Sequence, residues 1–160
     1  MIGIMADSHD NVPAIKKAVR FFNHTKCELV IHAGDLVAPF SARELEALAC
    51  PVKAVFGNCD GEKKGLKKAF RSWGTIREAP FMFHQCGLSF LVTHLHTSLS
   101  SYISSGKYDV IVFGHTHKPE IRRMEKTLLV NPGEAGGWLS GKSTVALLDC
   151  KTPNSEIVNL

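Results

Sequence analysis

Side chains with oxygen or nitrogen donors stand in short motifs spread along the 160-residue chain. The motifs are Asp7-Ser8-His9, Gly34-Asp35, Gly57-Asn58-Cys59-Asp60, Thr93-His94 and Gly114-His115-Thr116-His117. Two of these motifs place donors at positions i and i+2, which point the same way in a strand or an extended loop. We therefore expect Asp7 and His9 to aim at one point, and His115 and His117 to do the same.

The kind and number of these donors favour a pair of metal ions. A lone aspartate or histidine at such a position is usually a cap or a packed core residue, so the joint pattern carries the argument. A structural zinc site needs only four ligands and favours cysteine, whereas these motifs offer carboxylates, imidazoles and an amide, which suit ions such as Mn, Fe or Zn. Two adjacent ions indicate hydrolysis of a phosphate ester by a metal-bound hydroxide.

The elements expected around the first motifs alternate strand and helix. Apolar runs predict strands over 1–6, 29–32 and 52–56, a helix that begins at Asn11, and a second helix over 39–49. This β-α-β-α-β order is typical of a parallel sheet with right-handed crossovers. Open sheets of this kind hold their sites at the carboxyl ends of the strands, and the motifs follow those ends.

The second half of the chain is richer in strands. The predicted strands cover 81–84, 88–93, 109–113, 127–130, 144–148 and 156–158. Residues 97–105 are rich in serine and predict either a short helix or a loop, and Asn131-Pro132-Gly133 is a strong turn signal. Without an internal repeat or a linker, residues 1–160 are interpreted as a single domain.

The composition limits the function classes. Hydrophobic residues make up 44% and charged residues 21%, and no apolar run approaches the ~20 residues of a membrane helix. The five cysteines form no CxxC pair, and no secretory signal is evident, so we expect reduced thiols and a cytoplasmic protein without membrane association. The net charge of +4 suits an anionic substrate but is far from typical of nucleic-acid binding.

The ordered motifs D-x-H, G-D, G-N-x-D, T-H-x-H, G-H-T-H and N-P-G resemble those of the calcineurin-like metallophosphoesterases. Within that family the chain looks most like the small phosphodiesterases of the YfcE type, from Gly3 to about Leu148. The resemblance implies an α/β fold, a four-layer α-β-β-α sandwich of two mixed sheets, with a two-metal site on the loops at one edge. It also implies a dinuclear phosphoesterase, with a phosphodiesterase favoured, that uses a metal-bridging hydroxide for in-line attack on phosphorus.

The same resemblance divides the ligands between two divalent ions. The first set consists of Asp7, His9, Asp35 and His117. The second set consists of Asp35, Asn58, His94 and His115. Asp35 bridges the pair in this scheme, which suits two cations about 3.5–4 Å apart because the carboxylate offsets their repulsion. Mn is the favoured metal, with Ni, Fe, Zn and Mg as alternatives.

Four residues are assigned to catalysis: Asp35, Asn58, Asp60 and His96. The first two act as metal ligands. Asp60 either orients a neighbouring group or caps the segment that follows it. His96 is a candidate phosphate contact, with an ordinary surface or core histidine equally open.

Three positions depart from the resemblance. Many relatives have a histidine that assists the leaving group where this chain has Cys59, although the YfcE branch commonly has cysteine there. For Cys59 we favour a small buried filler over a catalytic thiol. Leu95 replaces the usual glycine between the two histidines, and Glu134 follows N-P-G where serine is common.

The predicted partner is a small phosphorylated molecule, either a phosphodiester or a nucleotide. The basic residues over 63–71 predict a solvated helix face, with steering of an anionic substrate as the alternative. Because relatives often pair, a homodimer or a homotetramer stays open. The alternative function is a protein-binding scaffold that resembles the retromer subunit of the superfamily, which has partly lost its metal ligands. A nuclease is disfavoured because such relatives carry additional DNA-binding domains.

Overall fold

Two mixed sheets stack face to face in the computed structural model, which describes residues 1–160. The first sheet has the order β11-β10-β1-β2-β3-β4, and these strands are β1 Ile2–Met5, β2 Leu29–His32, β3 Val52–Val55, β4 Gly74–Arg77, β10 Thr144–Asp149 and β11 Asn154–Asn159. Strands β1 to β4 are parallel to one another, whereas β10 pairs antiparallel with both β1 and β11.

The second sheet has five strands in the order β5-β6-β7-β9-β8. Their bounds are β5 Phe81–Gln85, β6 Leu88–Val92, β7 Val110–Val112, β8 Glu120–Met124 and β9 Thr127–Asn131. The three central strands β6, β7 and β9 are parallel, and the two edge strands pair antiparallel with their neighbours. Both sheets are therefore mixed, as predicted.

Helices cover the outer faces of the two sheets. They are α1 Val12–His24, α2 Pro39–Ala42, a 3₁₀ helix Arg43–Ala47, α3 Lys63–Phe70 and α4 Leu99–Ser104. One apolar cluster joins α1 and α3 to the first sheet, a second fills the space between the sheets, and a third joins α4 to the second sheet. The predicted four-layer α-β-β-α sandwich is confirmed.

Helix α1 shows how the sequence specifies these layers. The Asn11 side chain accepts a hydrogen bond from the backbone N–H of Ala14 at 3.2 Å, and Pro13 lies in the first turn, where no backbone donor is needed. Its buried residues are Ala14, Ile15, Ala18, Val19 and Phe22. They recur at helical spacing and pack on the first sheet. The carboxyl end of β1 is thereby linked to a well-anchored helix.

The predicted helix over 39–49 is wrong in its extent. Helix α2 ends at Ala42, the 3₁₀ helix ends at Ala47, and the backbone of Leu48 is extended. Within the 3₁₀ helix only Leu45 is buried. Because short helices depend on tertiary packing of an apolar face, this segment has little burial to stabilise a longer α-helix.

The sequence analysis missed two strands, β4 and β8. Both lie at the edge of a sheet, and both expose charged side chains, including Arg77, Arg122 and Arg123. Such edge strands lack the apolar run that marks a buried strand, since charges on an edge also discourage pairing with other chains. Residues 97–105 form the short helix α4, which is one of the two predicted alternatives. No helix combines the length and apolarity needed to cross a membrane.

Candidate metal centre

The predicted ligands converge because the carboxyl ends of parallel strands from both sheets meet at one edge. Asp7 follows β1, Asp35 follows β2 and Asn58 follows β3 in the first sheet. His94 follows β6, and His115 and His117 follow β7, in the second sheet. Each sheet therefore supplies about half of the candidate donors, and the cleft between the sheet edges is where they face one another.

The first donor group contains Asp7, His9 and His117. Their ligand atoms lie within 4.8 Å of one another, with Asp7 Oδ1 at 3.9 Å from His9 Nε2 and 3.6 Å from His117 Nε2. Asp7 Oδ1 and His9 Nε2 are buried and have no hydrogen-bond partner. Burial of an unpaired polar atom is costly, so this donor group fits a cation held between the carboxylate and the two imidazoles.

The electrostatics of Asp7 point the same way. Burial raises the pKa of Asp7 to about 6, even though the nearby His94 and His117 favour its charged form. A carboxylate in this position gains from any positive charge placed against its free oxygen. Asp7 is therefore a carboxylate whose charged form a cation at this position would stabilise.

Asp35 lies between the two halves of the cluster. Its Oδ2 is 3.6 Å from His9 Nε2 and 3.4 Å from His94 Nε2, while its Oδ1 accepts the backbone N–H of Cys59 at 2.8 Å. Burial opposes the charge on Asp35, but hydrogen bonds from His94 and Cys59 outweigh it and hold the pKa of Asp35 well below its usual range. A charged carboxylate that faces histidines on both sides has the geometry of a bridging ligand.

His94 presents one ring nitrogen to the cluster. Its Nδ1 is 2.8 Å from the Ala33 carbonyl oxygen, which assigns a proton to Nδ1. With the proton on Nδ1, Nε2 carries a lone pair and faces the Asn58 Oδ1 oxygen at 2.9 Å. A cation bound by both atoms would satisfy these two acceptors. Burial disfavours the charged ring, but Asp35 prevails and raises the pKa of His94. His115 approaches more loosely, with its ring centroid 5.2 Å from that of His94.

The backbone at five ligand positions is left-handed. The φ angles are 52° at Asp7, 41° at His9, 60° at Asp35, 70° at His115 and 58° at His117. The expectation that i and i+2 donors converge through an extended loop is therefore wrong in its geometry. Tight left-handed turns aim these side chains, because the chain must reverse sharply where each strand ends. Non-glycine residues rarely adopt such φ angles, and they cluster at functional sites where the surroundings enforce them.

Two glycines adjoin Asp35, one directly before it in the chain and one in the neighbouring loop after β3. Gly34 has a φ of 98°, which side chains rarely tolerate. A Cβ added to Gly57 would collide with the Asp35 carboxylate. The close approach of the β2 and β3 loops thus depends on the missing side chain of Gly57.

Asp60 organises the loops and does not cap a helix. The side chain is buried and accepts backbone N–H groups from Asp35 at 3.1 Å, Val37 at 2.6 Å and Gly57 at 2.7 Å. The residue that precedes α3 is Glu62, which makes no capping hydrogen bond. Of the two alternatives for Asp60, the structure favours orientation of its neighbours.

His96 and Cys59 lie at the exposed side of the cluster. His96 stacks against His115 with ring centroids 5.8 Å apart, and its role as a phosphate contact stays a prediction. The prediction that Cys59 is a buried filler is wrong, because the thiol is exposed while the backbone N–H turns inward to Asp35. Partial burial and the neighbouring Asp35 raise the pKa of the Cys59 thiol to about 11, which keeps it protonated near neutral pH.

Sequence reasoning missed the part that Glu134 takes in the cluster. This carboxylate is fully buried, and its Oε1 lies 3.3 Å from His117 Nδ1, which is ion-pair distance without the alignment of a hydrogen bond. The backbone N–H groups of Trp138, Leu139 and Ser140 donate to it at 2.8–3.1 Å. These hydrogen bonds outweigh burial and lower the pKa of Glu134. The only signal in the sequence was an acidic residue directly after the N-P-G turn.

His32 lies beneath the cluster, as expected for a packed or supporting histidine. It is fully buried, its Nδ1 accepts the backbone N–H of Gly34 at 3.2 Å, and its Nε2 is 3.1 Å from Ser8 Oγ. Burial lowers the pKa of His32 to about 3, so the ring is neutral. This histidine supports the turn that carries Asp35.

A two-sheet α/β sandwich with aspartate, asparagine and histidine donors at one sheet edge defines a class of protein. The chain belongs to the calcineurin-like phosphoesterase superfamily, whose domain model matches residues 1–153.

Individual relatives agree with this assignment. The chain is 40% identical over 152 residues, 92% of its own length and 92% of the relative's, to Phosphodiesterase MJ0936 of Methanocaldococcus jannaschii. A solved structure described as a novel archaeal phosphodiesterase superposes with a TM-score of 0.94 at 37% identity over 99% of both chains. The E. coli phosphoesterase YfcE shares the fold, with a TM-score of 0.67 at 18% identity over 98% of this chain and 97% of its own.

Proposed function

We propose that the protein is a phosphodiesterase that works with two divalent metal ions. The observation that carries this proposal is the position of Asp35, whose Oδ2 lies 3.6 Å from His9 Nε2 and 3.4 Å from His94 Nε2. One carboxylate thus faces two separate sets of donors. The 40% identity to a protein named a phosphodiesterase supports the choice of diesters.

The residues present fit two ions. Asp7, His9, Asp35 and His117 would hold the first. Asp35, Asn58, His94 and His115 would hold the second. Mn is the favoured metal because the donors are oxygens and imidazole nitrogens without a thiolate in either set, with Ni, Fe, Zn and Mg as alternatives. When bound, such a pair neutralises charge on a phosphoryl group and lowers the pKa of water.

The chain's own residues position the substrate around this pair. His96 is exposed beside His115, where it can donate a hydrogen bond to a phosphate oxygen. The Cys59 thiol is protonated, but a thiol is a weak donor, so strong assistance to a departing alkoxide is not expected from it. Esters with good leaving groups are therefore the preferred substrates of this proposal.

The test combines hydrolysis with metal analysis. Purified protein loaded with Mn²⁺ should hydrolyse bis(p-nitrophenyl) phosphate and bind two ions per chain. Asp35→Asn should lower kcat/KM by at least about 100-fold and reduce the metal content, because both sets lose a charged ligand. The matched control is Asp149→Asn, since Asp149 lies in β10 and contacts only Lys151 and Thr152 through its side chain.

Two results would contradict the proposal. One is full activity in Asp35→Asn, and the other is a folded wild-type protein that hydrolyses no phosphoester with any of the five metals. If that protein also retained no metal, the protein-binding scaffold would become the better interpretation.

A further inference from the structure

A cavity of about 300 Å³ opens directly beside the second donor set. Asn58 and His94 form part of its wall. The β4–β5 connection and α4 also line it, and α4 contributes Tyr102. A phosphoryl group held at Asn58 and His94 would therefore have one of its substituents next to this space, which we call the side cavity.

The charges at the side cavity cancel. Apart from His94, which belongs to the second donor set, Lys63 is its one basic residue and Glu78 its one acidic residue, and Lys63 Nζ lies 3.2 Å and 3.0 Å from the two Glu78 carboxylate oxygens. Away from the donor set, a second phosphate group would find no uncompensated positive charge here. The side cavity is therefore suited to an uncharged group.

The remaining wall combines apolar surface with free hydroxyl groups. Phe56, Pro80 and Leu95 supply apolar atoms, and the Leu95 side chain is 43% exposed. Ser98 and Tyr102 line the same space, and their backbone carbonyls accept hydrogen bonds while their hydroxyls make none within the protein. The side cavity therefore offers both apolar contact and hydrogen-bonding groups to a ligand. A flat ring with polar edges, attached to a sugar, matches this surface.

A neighbouring cavity of about 290 Å³ shares Thr97 with the side cavity. His96 and Arg122 line it, but none of the seven predicted metal ligands does. Of the two, the side cavity is the one continuous with the donor atoms. Leu95, where relatives usually have glycine, belongs to the wall of the side cavity only.

We propose that the side cavity is a subsite for the nucleoside group of a phosphodiester substrate. This inference rests on the proposed function, because the metal centre must hold the phosphoryl group for the nucleoside to reach the cavity. Leu95 then acts as a specificity-determining residue that contacts the ring. The uncharged ring gains apolar contact, and the hydroxyls of Ser98 and Tyr102 meet its polar edge.

The experiment measures affinity, so it does not depend on turnover. Isothermal titration of Mn²⁺-loaded protein compares thymidine 5′-monophosphate with inorganic phosphate. The wild type should bind the nucleotide at least about 10-fold more tightly, the factor that corresponds to about 1.4 kcal/mol. Ser98→Phe should abolish this difference by filling the side cavity while leaving the affinity for phosphate unchanged.

Ser104→Phe is the matched control, because Ser104 is an exposed residue of the same helix and lines neither cavity. This variant should keep the wild-type affinity for both ligands. Ser98 makes no capping hydrogen bond, so its replacement removes none from α4.

Equal affinities of the wild type for the two ligands would overturn the subsite, and so would an equal loss of both affinities in Ser98→Phe. Hydrolysis of bis(p-nitrophenyl) phosphate is followed separately. A wild type that hydrolyses no phosphoester with any of the five metals but still prefers the nucleotide would refute the proposed function, and the side cavity would then be a nucleotide-binding site without hydrolysis.

Discussion

The pair formed by Glu134 and His117 links a buried acid to a candidate metal ligand. His117 Nε2 faces Asp7, and its Nδ1 faces Glu134 at 3.3 Å. A carboxylate at the far nitrogen of a ligating imidazole fixes its tautomer and orientation and raises its basicity. Because Glu134 is itself held by three backbone N–H groups, it can keep the His117 ring in one position.

Replacing Glu134 should therefore weaken metal binding. We expect Glu134→Gln to raise the dissociation constant for Mn²⁺ by about 10–100-fold, the usual effect of removing such a partner. The measurement is competition for Mn²⁺ with a fluorescent chelator. Glu156→Gln, at an exposed position in β11, serves as the control and should bind Mn²⁺ like the wild type. An unchanged dissociation constant in Glu134→Gln would show that Glu134 only organises its own loop.

At the scale of the elements, the centre depends on how closely the loops after β2 and β3 approach. Gly57 and Asp35 are in contact across these loops. The Asp60 side chain joins the same two loops through hydrogen bonds to Asp35 and Gly57. The position of the Asp35 carboxylate therefore depends on the fit between two loops.

Gly57→Ala should displace the Asp35 carboxylate. We expect a fall in bound Mn²⁺ below two ions per chain and a loss of diesterase activity of at least about 100-fold. Metal analysis and a kinetic assay check this result. Gly61→Ala is the control, since a Cβ at Gly61 meets no atom within 4 Å. Equal behaviour of the two variants would mean that the loops adjust at no cost.

The elements also show what a sequence can predict. Four elements were identified from sequence patterns. Strands β1, β2 and β3 are buried on both faces and appear as apolar runs, whereas α1 is buried on one face and shows apolar residues at helical spacing. An exposed edge strand such as β8 has neither pattern. The candidate ligands were identified by motif, and the structure brings them to one sheet edge, but their left-handed turns were not predicted, since φ angles depend on contacts between loops. Glu134 was noticed only as a departure from a pattern, because its partner His117 lies in another loop.

At the scale of the whole molecule, the sheets are held together by one apolar layer. Phe90 of β6 is fully buried in the cluster between the sheets and stacks on Phe83 with ring centroids 5.2 Å apart. The same layer fixes the distance between the β1–β3 loops and the β6–β7 loops. The candidate metal centre, whose proposed ligands come from both sheets, therefore depends on this packing.

Phe90→Ala should lower the free energy of unfolding by about 3–5 kcal/mol through lost burial and a cavity. Urea denaturation of the metal-free protein measures this change. Phe40→Ala removes the same side chain at a position that is 61% exposed, and it should change stability by less than about 0.5 kcal/mol. A small effect of Phe90→Ala would indicate that the two sheets repack around the missing ring.

The left-handed backbone at the five ligand positions has a practical consequence. Each such residue carries about 1–3 kcal/mol of strain, so the five turns oppose folding and the packing around them has to offset that cost. Glycine adopts a positive φ without a steric penalty. A glycine at any one of these positions would therefore remove a metal donor and relax the backbone in the same step, so a ligand can be lost here without a matching loss of stability.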